Sequence, residues 1–176
     1  AGGAGKTPTA MAIAALLNEL GETPVLLTRG YGGFLKGPHR VDPARDDAAA
    51  VGDEALLLAR VAPVVKSADR VQGARVASDI GSVIVMDDGL QNPSLEKDFS
   101  IAVVDGESGI GNGLCLPAGP LRAPLVAQKR RTDAVLLMGA DGPLAALSPV
   151  NGKRNLLVLD LQTMKPRAIT TFANFD

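Results

Sequence analysis

Seven residues at the start of the chain, Ala1-Gly2-Gly3-Ala4-Gly5-Lys6-Thr7, have the order of a loop that holds a nucleoside triphosphate. The glycines Gly2, Gly3 and Gly5, with Ala4 between them, let backbone N–H groups turn toward phosphate oxygens. Lys6 would reach the β- and γ-phosphates, and the Thr7 hydroxyl would serve Mg²⁺. Pro8 suits the first turn of a helix, whose N-terminus favours anions. GKT alone is a weak signal. GGAGKT running into the amphipathic stretch 11–20 is much stronger than a glycine turn capping an ordinary helix. The first glycine of the usual pattern and the strand that feeds such a loop would lie before Ala1, so the chain is read as a piece of a longer protein.

Such a loop needs a carboxylate on its metal side, at the end of a buried strand. Val83-Ile84-Val85-Met86-Asp87-Asp88 supplies one. Asp88 is assigned as the metal-side residue, with Asp87 assisting. The plainer alternative is a polar strand end entering an Asp-Gly turn at Asp88-Gly89. A further acid pair, Asp53-Glu54, follows Val51-Gly52. Asp53 has two readings. It could cap the helix beginning at Ala55, or it could be a general base that takes the proton of an attacking hydroxyl. The two are compatible.

On the basic side, Arg29-Gly30-Tyr31-Gly32-Gly33 leaves a strand, Arg70 begins a helix, and Arg122 lies in a Gly/Pro-organised loop. Arginine suits bidentate phosphate contacts. Lys129-Arg130-Arg131 reads as a solvated face, and His39, the sole histidine, as exposed and inert. One histidine and one cysteine make no zinc site.

The elements that must position these groups alternate. Helices are expected over 7–20, 48–60 and 68–78. Strands are expected over 24–28, 63–66, 82–86, 100–104, 133–138 and 155–161, with long irregular stretches over 30–44 and 106–128. Strands alternating with helices predict an α/β fold, a P-loop NTPase-like three-layer sandwich around a mostly parallel sheet. Ligand crevices in such sheets lie at the carboxyl ends of the strands.

With 176 residues, 46% apolar, and a formal net charge of −1, the chain reads as an ordinary soluble globule rather than a polyanion binder. Aromatics are 3% with no Trp, which disfavours nucleic-acid binding by stacking. Cys115 stands alone, which excludes an internal disulfide. No apolar run is long enough to span a membrane.

Taken in order, GGAGKTP at 2–8, TRGYGG at 28–33, VGDE at 51–54, DDGLQN at 87–92 and GNGLCLPAGPLR at 111–122 resemble the tetraacyldisaccharide 4'-kinase family of lipid A biosynthesis. The resemblance implies a phosphotransferase that uses ATP and Mg²⁺ to phosphorylate the 4'-hydroxyl of a tetraacyldisaccharide 1-phosphate. It implies a monomer, peripheral on the cytoplasmic face of the bacterial inner membrane, with an anchor segment outside this chain. Residues 1–150 would be the kinase core without its first strand, and 151–176 the start of a smaller second domain. Carried over by motif, Lys6 and Thr7 match the nucleotide and metal positions, and Asp53 matches the catalytic base. Asp87 and Asp88 match the metal-side acids. Arg29, Tyr31, Glu54, Arg70, Gln91, Asn112 and Arg122 would surround the acceptor.

Two departures are local. Asn92 stands where many relatives have His, and Ala123 where many have Glu. The family's histidine partner to the catalytic acid lies in a later Asp-His-His-type segment not reached by Asp176, so these 176 residues alone are expected to be inactive or nearly so. Three rivals remain at this level. They are a partitioning-type ATPase switch, a P-loop enzyme activating a small metabolite, and a nucleotide-binding domain without transfer. Ala1, where the switch ATPases often carry Lys, counts against the first.

Overall fold

The computed structural model describes residues 5–139 in full and, beyond them, the backbone of strands 142–150, 153–160 and 165–172. Two compact units result, Lys6–Glu96 and Lys97–Asp176 with the first five residues.

The Lys6–Glu96 unit carries α1 (Lys6–Glu19), β1 (Pro24–Thr28), β2 (His39–Arg40), α2 (Ala48–Val51), α3 (Asp53–Leu58), β3 (Val64–Lys66), α4 (Arg70–Ser78) and β4 (Val83–Met86). Its sheet has the order β2-β3-β1-β4, with β3 and β4 both parallel to β1 and the short β2 antiparallel to β3. All five residues of β1 are buried, as expected of a parallel strand covered on both faces. Alternation along the strands sorts the core into two layers. Leu26 and Val64 pack with Ala10, Ala14, Val51, Ala55 and Leu58 of α1, α2 and α3. Val25, Leu27 and Val65 pack with Ala77 of α4 on the opposite face. Helices on both faces of a mainly parallel sheet make the three-layer α/β sandwich that the strand–helix alternation predicts.

Local chemistry explains the boundaries. Helix α1 ends in paired closing bonds, Gly21 N–H to Asn18 O and Glu22 N–H to Leu17 O, with Gly21 at φ +85°. Asp69 caps α4, accepting from the amides of Val71 and Gln72. The single helix expected over 48–60 is two helices. Gly52 breaks it at φ +89°, and a Cβ there would come within 2.5 Å of the Tyr31 carbonyl oxygen. The stretch 30–44 contains β2. There His39, expected exposed and inert, is half-buried and bonded through Nε2 to Asp46 Oδ2 at 2.8 Å.

The second unit holds β5 (Ile101–Asp105), α5 (Leu125–Lys129), β6 (Ala134–Gly139), β7 (Gly142–Val150), β8 (Lys153–Asp160) and β9 (Lys165–Phe172), paired in sequence order. Strands β5 and β6 are parallel, and β6 through β9 form an antiparallel meander. Neither β7 nor β9 was expected. The boundary expected at 150/151 lies between β7 and β8, which pair with each other. Among the described residues, no helix is long and apolar enough to cross a membrane.

Gly52→Ala combines a left-handed φ with a clash against backbone, and is expected to cost about 1–3 kcal/mol. Gly21→Ala, at a similar φ with open space around it, is expected to cost less. Urea denaturation midpoints of the two variants check the order.

Candidate active site

Helix α1 opens on Lys6 and Thr7, so the N-terminal N–H groups and the positive end of the helix dipole gather where the glycine loop ends. Strand β4 delivers two acids to the same place. The Thr7 hydroxyl donates to Asp87 Oδ2 at 3.0 Å, and Lys6 Nζ lies 3.9 Å from Asp88 Oδ1. The hydroxyl therefore meets Asp87, the acid expected only to assist, while Asp88 turns to the lysine. The chain bends sharply here, with Asp88 at φ +53°, a conformation that Asp tolerates better than most residues. Asp87 is anchored by its own amide, which donates to Leu27 O.

Asp87 is buried. Loss of hydration raises its carboxyl above the ordinary value, and the charge of Asp88 pushes the same way. The Thr7 hydrogen bond and the Lys6 charge oppose the rise. A buried carboxylate with a neighbouring acid and a hydroxyl is a set of hard oxygen donors. Mg²⁺ characteristically takes one or two carboxylates and completes its shell with water and phosphate oxygens. Thr7, Asp87 and Asp88 fit that pattern. Among the described residues, no group of three or more His, Cys, Asp or Glu side chains gathers to hold a metal by protein ligands alone.

Arg70 is buried beneath these acids. Its guanidinium donates to Leu27 O at 3.3 Å and to Asp87 O at 3.2 Å, tying the ends of β1 and β4 together. Burial lowers its pKa, Asp88 and Asp87 raise it, and the positive charge of Arg29 lowers it. A positive group is thus held under the acid pair.

Asp53 is exposed in the first turn of α3, with Glu54 beside it. The cap position belongs to Gly52, with no side-chain cap bond, so Asp53 is not occupied in capping. Arg29 and Tyr31 are exposed on the loop leaving β1, and Tyr31 is 87% exposed. Gln91 is half-buried after β4. Asn112 and Arg122 belong to the other unit. Asn112 braces its own loop, donating to Ala118 O at 2.8 Å and accepting from Leu114 N at 3.1 Å, and Arg122 is exposed. Gly2, Gly3 and Ala4 lie outside the described residues.

Sequence reasoning passed over Lys66. It is 1% exposed and donates from Nζ to Ala50 O at 2.9 Å. A lysine closing Pro-Val-Val-Lys looks like an ordinary solvated strand end. Only the glycines at Gly30 and Gly33 hint at what packs against it.

The tetraacyldisaccharide-1-P 4'-kinase family model matches residues 1–173. The chain is 63% identical to a tetraacyldisaccharide 4'-kinase of Methylobacterium nodulans, over 81% of this chain and 42% of the relative. It is 58% identical to that of Methylorubrum extorquens strain PA1, over 89% and 48%, and 54% identical to that of Rhodopseudomonas palustris strain BisA53, over 98% and 54%. The chain spans about half the length of the curated relatives it matches. Among solved structures it resembles LpxK from Aquifex aeolicus in complex with ATP. That match has a TM-score of 0.67 and 33% identity, and covers 78% of this chain and 44% of the other.

The raised pKa of Asp87 has a definite sign for stability. The folded state keeps this proton to higher pH than the unfolded chain does. The group's contribution therefore falls as pH rises from the ordinary carboxyl value through the folded one. Asp87→Asn keeps an acceptor for Thr7 and removes the penalty. It is expected to raise the melting temperature of the metal-free protein at about pH 7, with the gain shrinking as pH falls through the raised carboxyl value and gone by about pH 4. Thermal melts across that range check it.

Proposed function

The chain belongs to the tetraacyldisaccharide-1-P 4'-kinase family, and from that premise we propose that it is the nucleotide-binding part of an ATP-dependent phosphotransferase. Its acceptor is the 4'-hydroxyl of a tetraacyldisaccharide 1-phosphate, on the path to lipid A. The observation that carries the reading is the joint made by Thr7 on Asp87 and Lys6 on Asp88. It sets a helix N-terminus, a cation, a hydroxyl and two carboxylates around one small region.

In this reading the N–H groups of Gly2, Gly3, Ala4, Gly5, Lys6 and Thr7 cradle the phosphates of ATP. Thr7, Asp87 and Asp88 would hold Mg²⁺, which would supply positive charge to the phosphate oxygens. Asp87, already joined to Thr7, is the closer of the two acids to that role. Asp53 accepts the proton of the 4'-hydroxyl. The hydroxyl oxygen bonds the γ-phosphorus in line, the bond from that phosphorus to the β–γ bridging oxygen breaks, and ADP leaves. Lys6 offsets charge on the transferred group, so the chemistry is mostly positioning and electrostatics.

Arg29, Tyr31, Glu54, Arg70, Gln91, Asn112 and Arg122 are proposed to surround the acceptor sugar and its phosphate. For Arg70 the geometry favours support from beneath, since its donors meet Leu27 O and Asp87 O. Residues 1–150 are read as kinase core and 151–176 as the start of the smaller domain. The protein is proposed to work as a monomer, peripheral on the cytoplasmic face of the inner membrane.

The test uses the full-length enzyme with MgATP and micellar acceptor, scored against ATP hydrolysis without acceptor. Phosphate transfer to the disaccharide supports the reading, and acceptor-independent hydrolysis alone sinks it. Lys6→Ala is expected to lower turnover by at least about 100-fold. Asp87→Asn is expected to raise the Mg²⁺ concentration needed for half-maximal rate more than Asp88→Asn does.

A further inference from the structure

Lys66 is a charged side chain buried where β3 ends, and three segments close around it. Its Nζ donates to Ala50 O at 2.9 Å. A Cβ on Gly30 would come within 2.5 Å of its Cε and 2.6 Å of Val51 O. A Cβ on Gly33 would strike its Nζ and lie 2.6 Å from Ala50 O. The loop leaving β1 therefore lies directly on the lysine, and glycine is the residue that lets it approach so closely. The same loop is bonded to α2, with Phe34 N–H donating to Ala49 O at 2.9 Å and Leu35 N–H to Ala50 O at 3.0 Å. It is joined to the residues after β3 by Ala68 N–H to Lys36 O at 2.7 Å.

The end of α2 leads straight into Gly52 and then Asp53. A Cβ on Gly52 would meet the Tyr31 carbonyl, so the turn that presents Asp53 leans on the same loop. Desolvation lowers the pKa of Lys66. A lysine kept in such a place carries a cost that a Met or Leu of similar size would not. What the ammonium does in exchange is hold the carbonyl of Ala50, at the end of a four-residue helix too short to be rigid by itself.

We propose that Lys66 is a positioning residue for the transfer reaction: by gripping the Ala50 carbonyl beneath the loop of residues 29–37, it fixes the Gly52 turn and hence the direction of Asp53. The proposal rests on the reading of Asp53 as the base. The role requires no contact of Lys66 with nucleotide or acceptor, since its Nζ is engaged by Ala50 O. Its effect passes through Asp53 and belongs in turnover rather than in affinity for ATP.

The experiment uses the full-length enzyme carrying Lys66→Met, Lys66→Gln, Asp53→Asn and the two double variants. Lys66→Met is expected to lower kcat by about 10- to 100-fold with KM for ATP within about two-fold of the parent. Lys66→Gln keeps an N–H donor and is expected to fall between the two. In the Asp53→Asn background, Lys66→Met is expected to add less than about a two-fold loss, because the residue it serves is gone. Hydrogen exchange at the Phe34 and Leu35 amides is expected to quicken in Lys66→Met and not in Asp53→Asn, whatever the enzyme phosphorylates. A folded Lys66→Met enzyme with parental kcat overturns the proposal, and so does an equal loss in both backgrounds or unchanged exchange at those amides. Should Lys66→Met fail to fold, Lys66→Gln carries the same cycle, and additive losses there overturn it. A parent enzyme that transfers no phosphate to the disaccharide counts against the kinase reading, while the exchange measurement still decides the grip.

Discussion

The bond from the Thr7 hydroxyl to Asp87 joins the first turn of α1 to the end of β4. The surrounding architecture makes that bond possible. A carboxylate buried at a strand end is unfavourable unless neighbours compensate it, and the compensation comes from several elements. The hydroxyl and Lys6 arrive on α1, the amide of Asp88 comes from the turn after β4, and the guanidinium of Arg70 on α4 attracts the acid from beneath. Parallel pairing of β1 with β4 brings these ends into register, since Leu27 stands opposite Met86, the residue before the acids. Remove the parallel sheet and the acid has no reason to sit beside the helix terminus.

Two buried cations do different work along that edge. Arg70 ties β1 to β4 through two main-chain carbonyls. Lys66 ties the end of β3 to the end of α2. Each lies under a loop or strand exit rather than in the apolar layers, where Leu26, Leu58 and Val64 pack without polar atoms. The fold keeps its charged groups at the rim of the sheet. There they organise irregular backbone, and there the proposed transfer needs rigid positions.

Much of this was legible from residue order. Strand β1 falls at the residues that the apolar run marks, and α1 begins within one residue of the expected start and ends where Gly21 demands. The helix expected over 48–60 hid its break. Alanine-rich flanks favour helix, and only a neighbour distant in sequence, the carbonyl of Tyr31, requires Gly52 to leave it. Strand β2 is two residues long and held by pairing with β3, so no local periodicity announces it. Strand β7 contains two prolines, which read as breakers. In the candidate site, the acids and the lysine could be picked out by motif. Which acid meets Thr7 could not, because that depends on how β4 ends, with Asp88 turned to positive φ. Lys66 left no mark of its own, since burial of a lysine is a property of what covers it.

The loop over Lys66 also carries an optical label. Tyr31 is the chain's single tyrosine, the chain has no tryptophan, and the ring stands 87% exposed beside the Gly52 turn. Tyrosine emission from these 176 residues therefore originates wholly at the rim of the candidate site. Quenching by a dissolved anion such as iodide would follow the accessibility of that rim directly, without any dye attached.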